Sequence, residues 1–369
     1  MNGLAALFFF SVLQMTFVAT AMTGGNHGLD ENLLSIMAYN TENTFDVKHD
    51  EGKDDYTFLP LSFPDKARHC YTSPIQYREF CLKTDWTEDK AELKIHQLKR
   101  MISSQGYLPD LVALEEVENQ IVMHDLAQDL GYEKFLITNS PDMRGIDVAL
   151  MYNEQKLIYM SHEEINIDDG KLEKLKTRNI LRVNFRVKGK QKVVLGVYVN
   201  HWPSQLKTKD TRILAAETLL ADIKAQQKKY TKKHYYAVVV GDLNTTDRES
   251  TDVIGKVLGA TFEDVQSFGQ KNSELEGTYF YPARWRWERL DRILVSKNLV
   301  GKGELEVIPE SFTVVKPSFS VHDYTEQKPK SPHYGKTMRN VPIRYDFSST
   351  DPNTAGFSDH FPVLVNIQL

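Results

Sequence analysis

The apolar run HYYAVVV passes into GDLNTT, which sets a carboxylate, Asp242, and an amide, Asn244, at the close of a stretch that otherwise reads as a buried strand. Other apolar runs are punctuated in the same way. MAYNTEN places Asn40 and Glu42, VALEEVEN places Glu116, VNHWPS places Asn200 and His201, LDRILVS begins with Asp291, and FSDHFPV sets Asp359 and His360 before the last run. Any one of these alone is a turn former or a helix cap. Recurring at the ends of buried strands, they would, where those strands are neighbours, converge on one rim and form a site that neither cysteine nor serine chemistry explains. Hard oxygen donors such as Glu116 suit Mg²⁺ or Mn²⁺ better than zinc, and histidines beside carboxylates suit proton transfer. Hydrolysis of a phosphate ester needs this mixture: a group to orient water, donors for the phosphoryl oxygens and a polarising metal. Asp242 is then the group that holds the water, and Asn244 a donor to phosphate.

The elements that position these groups are mostly strands. LLSIMAYN, LVALEEV, DVALMYN, NILRVNFRV, KVVLGVYVNH, YYAVVVGDLN, RLDRILVS and FPVLVNI are rich in β-branched and aromatic residues. Amphipathic helices lie between some of them. One follows Thr87 and Glu88 and carries Ala91, Ile95, Leu98 and Ile102 on one face; a second runs from about Lys209 to Tyr230 and carries Ile213, Ala216, Leu220 and Ile223. With no repeat and no Gly/Ser linker, the sequence predicts a single mixed α/β domain over 30–369. Segments 44–86 and 316–356 read as long irregular loops.

The chain has 369 residues, 41% hydrophobic and 26% charged, with a formal net charge of −5. That is the make-up of a globular protein with a substantial core, and the negative sum argues against a surface that is basic throughout. Residues 1–21 read as a secretory signal, an apolar run followed by the small residues ATA, so the expected location is secreted or periplasmic; a membrane anchor is the alternative. No cysteine follows that run to carry a lipid. The only cysteines, Cys70 and Cys81, suit a disulfide closing a short loop in an exported protein, while a zinc site with His69 would need a distant fourth ligand.

In their order along the chain, NTEN, LEEVE, NHWPS, GDLN, LDRILVS and SDHFPV resemble the endonuclease/exonuclease/phosphatase superfamily, which includes type I deoxyribonucleases, abasic-site endonucleases, sphingomyelinases and inositol-polyphosphate 5-phosphatases. The resemblance runs from about Ile36 to the C-terminus. It implies a four-layered α/β sandwich, two mixed sheets packed face to face with helices outside, and a divalent-metal phosphoesterase. It makes Glu116 the principal metal ligand with Glu42 and Asp359 contributing, and gives Glu115, standing where relatives often have Gln, a lesser place. Asn40, Asn200 and Arg144 fall on the substrate side, and Asp147 on the rim. His201 takes a phosphate-contacting or general-acid role, Asp242 and Asn244 the water and phosphate roles, and His360 is the imidazole paired with a carboxylate, Asp291.

The substrate must be read from the loops. In YFYPARWRWERLDR, Arg284, Arg286 and Arg289 interleave with Tyr281, Trp285 and Trp287, a pattern suited to phosphates and stacked bases; alternate core and solvent faces of a strand would give the same spacing. Lys316, Lys328, Lys330, Lys336, Arg339 and Arg344 follow before the last motif. The leading expectation is an exported Mg²⁺-dependent endonuclease acting on DNA or RNA as a monomer, with no stable protein partner. The alternatives are a sphingomyelinase-type lipid phosphodiesterase, which would call for an exposed apolar hairpin, an inositol-phosphate phosphatase, and a catalytically inactive binding module.

Overall fold

Strand alternation decides which side chains of the long buried runs meet. In β1 (Leu33–Thr44), Leu34, Ile36 and Ala38 point to one side and Met37 and Tyr39 to the other. The first set joins Val197, Val199, Val238 and Val240 in a core between two sheets; the second packs against helices. This computed structural model describes residues 28, 30–167, 175–249, 252–269, 276–301 and 303–369, so the proposed signal at 1–21 lies outside it.

The first six-stranded sheet has the order β13 (Glu306–Val314), β16 (Val363–Gln368), β1, β2 (Leu111–Val117), β4 (Asp147–Tyr152) and β3 (Lys134–Ile137). The second, also six-stranded, runs β5 (Leu157–Ile165), β6 (Ile180–Val187), β7 (Val194–His201), β8 (Tyr235–Asp242), β12 (Asp291–Ser296) and β9 (Phe262–Asp264). Leu98, Met101 and Ile102 of α3 (Glu88–Ile102) and Met123 and Leu126 of α4 (Gln120–Leu130) cover the outer face of the first sheet. Ala215, Ala216, Leu219 and Ile223 of α5 (Lys209–Tyr230) cover that of the second. The result is the four-layered α/β sandwich. Among the described residues no helix is long and apolar enough to cross a membrane.

Neither long irregular segment is structureless. Within 44–86 lie two short helices, α1 (Lys66–Thr72) and α2 (Ile75–Lys83), joined by the Cys70–Cys81 disulfide. Most of α2 is exposed, which is why its sequence carries no amphipathic rhythm. The buried Lys66 ammonium organises this segment by donating to the carbonyls of Thr57, Leu59 and Thr84 at 3.2, 2.5 and 2.6 Å. Within 316–356 lies the hairpin of β14 (Val321–Thr325) and β15 (Thr337–Pro342), beside a second small hairpin, β10 (Tyr279–Tyr281) and β11 (Arg286–Glu288).

The pairing gathers the polar strand ends. β1 and β2 are parallel, with Asn40 opposite Glu115; β7 and β8 are parallel, with His201 opposite Asp242. β12 is antiparallel to β8, so its first residue, Asp291, faces Asp242, and β16 starts beside β1 with Val363 opposite Ala38. Both partners of the β1–β2 pair are kinked where they meet: Glu42, Asn43 and Glu116 take left-handed backbone (φ 53, 58 and 63°), and the register shifts there. Beneath Asp242, Gly241 has φ +119°, and a Cβ on it would fall 2.1 Å from the Asn200 carbonyl oxygen and 2.6 Å from Glu115 Oε1. Gly241→Ala is therefore expected to destabilise the chain by about 1–3 kcal/mol through overpacking. An unchanged thermal unfolding midpoint would refute the close approach of β7, β8 and β2.

Candidate active site

Parity places the functional side chains as it places the core. Asn40 continues the series Leu34, Ile36, Ala38, and its Nδ2 donates across the sandwich to Asp242 Oδ2 at 3.1 Å. Asp242 continues Val238 and Val240, and Asp291 precedes Ile293 and Val295, all on the inter-sheet side. The main-chain N–H of Asn244, itself left-handed at φ 49°, donates to Asp242 Oδ1 at 2.8 Å. His201 Nε2 lies 3.6 Å from Asp242 Oδ2 and 3.8 Å from Glu116 Oε1. Across from it, His360 Nδ1 meets Asp291 Oδ2 at 2.7 Å, and Tyr279 packs its ring 4.9 Å from the imidazole. Asp242, Asp291 and His360 each offer an atom within 4.8 Å of the others.

The electrostatics follow from burying many carboxylates together. Burial pushes Asp242 up to about 7 against the opposing pull of His360. Burial alone would lower His360, but Asp291, with Asp359 and Asp242 behind it, outweighs that cost and holds the imidazole well above its usual value. His201 goes the other way: burial, then Arg178 and Arg144, push it well below. Glu115 is raised well above the usual carboxylate range by burial and by Asp291 and Asp242. Both of its oxygens, and Oδ1 of Asp291, are buried without a hydrogen-bond partner. These unsatisfied buried oxygens, together with the part-buried carboxylates Glu116 and Asp359 beside His201 and His360, are the hard oxygen donors a divalent cation takes, so the residues present fit such an ion.

Several residues singled out in the sequence are engaged otherwise than expected. Asn200 falls on the opposite parity, beside Tyr198: its Nδ2 donates to the Tyr198 carbonyl at 2.8 Å and its Oδ1 accepts from Trp202 Nε1 at 2.9 Å, so it braces the strand on the side away from the space between the sheets. Asn244 Nδ2 donates to the Trp202 carbonyl at 3.0 Å, which leaves the residue acting on Asp242 through its backbone. Glu42 is tied by Arg344 at 2.7 Å and by the Tyr345 N–H at 3.0 Å, since both of its oxygens face segment 344–345 and not open space. Arg286 pairs with Glu288. Arg289 pairs with Asp247 and Asp264 away from the rim. Asp147 accepts from the hydroxyls of Thr138 and Ser140, a strand-start network. Asp359 lies 3.2 Å from Arg344, half-exposed Arg144 lies 3.6 Å from Asp142, and Arg284 is exposed over the Tyr281 ring.

Other contributors carry no signal in sequence. Arg178 donates to the His201 carbonyl at 3.1 Å and the Trp202 carbonyl at 2.6 Å while pairing with Asp142, which fixes the loop after β7. From α3, Lys94 donates to the Phe357 carbonyl and Gln97 to the Gly356 carbonyl, each at 2.9 Å, holding the approach to Asp359 and His360. Ser358, which accompanies Asp359 and His360 in its motif, donates to the Asn40 carbonyl at 2.7 Å and accepts from the His360 N–H at 3.1 Å.

A sandwich of this layering, with acids, an amide and two imidazoles gathered where the sheets meet, defines a class of phosphate-ester hydrolases. The chain belongs to the endonuclease/exonuclease/phosphatase family, whose model matches residues 35–369. Among solved structures it is similar to the human Nocturnin catalytic domain with bound sulfate, at 15% identity and TM-score 0.53 over 92% of this chain and 95% of that one. It is similar to the Bacteroides thetaiotaomicron mannosyl-6-phosphatase, at 14% identity and TM-score 0.52 over 91% and 100%. D. rerio TDP2 complexed with single-strand DNA product matches at 15% identity and TM-score 0.50 over 91% and 99%. No curated protein matches the chain in sequence.

The two imidazoles should be distinguishable by nuclear magnetic resonance of the ring nitrogens in metal-free protein. His360 is expected to remain an imidazolium at pH values where a free histidine is neutral, His201 to stay neutral where a free histidine is charged, and Asp291→Asn to move the His360 transition to lower pH. Ordinary titration of both rings near 6.5 would overturn this assignment.

Proposed function

We propose that the chain is an exported, divalent-metal-dependent endonuclease that cleaves DNA or RNA phosphodiesters by in-line attack of water. The observation that carries it is Asp242, oriented by Asn40 and the Asn244 N–H and set within 4.8 Å of an imidazole that Asp291 keeps charged. Asp242 accepts a proton from the attacking water as the new O–P bond forms. The His360 imidazolium donates toward the phosphoryl group and its departing oxygen. His201, held neutral, suits a phosphate contact better than acid catalysis. Mg²⁺ or Mn²⁺, held by Glu116 with Asp359, would polarise a phosphoryl oxygen. Glu42 would join that shell only on exchanging Arg344 for the ion. Arg144 and Arg284, both exposed, are among the cations that would meet substrate.

The nucleic-acid reading draws support from the basic hairpins beside the site and from the fold shared with TDP2, which has been captured with single-strand DNA. Export draws support from the Cys70–Cys81 disulfide, a bond that persists in oxidising compartments. One observation favours a lipid phosphodiester instead: Leu61, Tyr71, Ile75, Tyr77 and Phe80 are exposed on and around the disulfide-linked helices, a clustered apolar surface of the kind a bilayer would take.

The two readings separate in parallel assays on plasmid DNA, structured RNA and sphingomyelin. Nucleic acid is expected to be cut, EDTA to abolish cutting and Mg²⁺ or Mn²⁺ to restore it, and Asp242→Asn and His360→Ala to lower turnover by about 10² or more while remaining folded. Headgroup release with nucleic acid intact would replace the substrate, and near-normal turnover in both variants would displace the site.

A further inference from the structure

Cations near the site divide into those already paired and those left free. Lys316 pairs with Glu276 at 2.8 Å, Arg286 with Glu288, and Arg289 and Arg292 with Asp247 and Asp264. The turn and second strand of the β14–β15 hairpin differ, although β14 itself carries Asp323 and is followed by Glu326. From Gln327 to Tyr345 the chain has no Asp or Glu but carries Lys328, Lys330, Lys336, Arg339 and Arg344. The first four are exposed and make no ion pair among the described residues, in a protein whose net charge is −5. Exposed like charges are hydrated alike in the folded and unfolded chain and repel one another when folding gathers them, so an unpaired row stabilises nothing in the free fold.

This row leads to the site. β15 runs directly into Arg344, which reaches Glu42 at 2.7 Å and Asp359 at 3.2 Å with its side chain 66% exposed. The neighbouring hairpin is tied to it through rings: Trp285 stacks on His333 at 5.4 Å and lies 6.0 Å from Tyr324, while Tyr279 of β10 bridges to His360. Trp285 takes left-handed backbone at φ 52°, a strained choice for a bulky residue that sets its ring between the hairpins. Tyr334 is exposed at one hairpin, Tyr281 of the other carries the Arg284 guanidinium over its ring, and no aliphatic side chain there is among the large exposed apolar residues.

We infer that the β14–β15 hairpin is an arm that tracks the backbone of an unpaired nucleic-acid strand several phosphates beyond the bond being cut, with Lys328, Lys330, Lys336 and Arg339 on phosphates and the Tyr334 ring and the Arg284–Tyr281 stack toward bases. It rests on the nuclease reading and narrows its substrate from any phosphodiester to a long single strand. Charge complementarity names a polyanion, and the ring faces name bases. The exposed apolar residues of these hairpins are isolated aromatics among cations, not the clustered mix of aliphatic and aromatic side chains found around the disulfide-linked helices, which favours a nucleic-acid strand over a bilayer.

The test measures binding apart from cutting. In an Asp242→Asn background, fluorescence anisotropy follows 5′-labelled single strands of increasing length across a salt series, with and without Lys328→Ala, Lys330→Ala, Lys336→Ala and Arg339→Ala together. The arm is expected to make affinity rise with strand length. Its removal is expected to weaken binding of long strands at least tenfold and to flatten the slope of log affinity against log salt by up to about 3, roughly 0.7 for each phosphate left without its cation. Charge reversal at Lys336 alone (K336E) gives a smaller change of the same sign should the fourfold variant unfold. Equal affinity and slope with and without the four cations would overturn the arm, as would tighter binding of duplex or of anionic vesicles than of single strands. Failure of the nuclease reading is separate: long strands bound through these cations but left intact by the parent chain with Mg²⁺ would keep the arm and discard the reaction.

Discussion

Six carboxyl groups, Glu42, Glu115, Glu116, Asp242, Asp291 and Asp359, are gathered where the two sheets meet, most of them buried. Buried anions in such company must be neutralised, paired or protonated. Arg344 answers Glu42 and Asp359, His360 answers Asp291, and Lys94, itself lowered to about 8 by burial, lies behind Glu42 and Asp359. Both Glu115 oxygens stay without a hydrogen-bond partner. The surrounding architecture answers this electrostatic load: the bulges that turn Glu116 outward, the long loop that returns Arg344, and the helix that grips the Phe357 carbonyl.

That grip makes α3 more than a lid on the first sheet. Lys94, Gln97 and Arg100 form a polar stripe directed at the carbonyls of Phe357, Gly356 and Pro352, next to the apolar stripe of Leu98, Met101 and Ile102. One face fills the core and the adjoining one sets the loop that delivers Asp359 and His360. Gly356 belongs to the same arrangement, since at φ +71° a Cβ on it would lie 1.9 Å from the Arg344 carbonyl oxygen.

The eight strands legible in sequence are the four central strands of each sheet: β16, β1, β2 and β4, then β6, β7, β8 and β12. The edges β13, β3, β5 and β9 escape such a reading because an edge strand is only partly covered, as the largely exposed β5 shows, and so its residues lose the apolar signature. The same logic applies to the site. Asn40, His201, Asp242, Asp291 and His360 are legible because each adjoins a central strand, whereas Asn200, one residue from His201, is misplaced by the motif because its parity sends it to the helical side. Arg178 and Lys94 meet the site only through long-range contacts, and Arg344, legible only as one of a run of cations, reaches Glu42 and Asp359 in the same way; such a cation announces nothing about the carbonyl or carboxylate it will find.

The segment around α1 and α2 is held by a covalent link and by one ammonium collecting three carbonyls, with Phe58 and Phe80 touching Phe347 as its attachment to the body. Little of its order comes from burying its own outward side chains. Those side chains therefore have almost no packing duty, and the surface they form can be rewritten by substitution while the sandwich beneath stays as it is, which gives a fixed reaction frame a replaceable outer face.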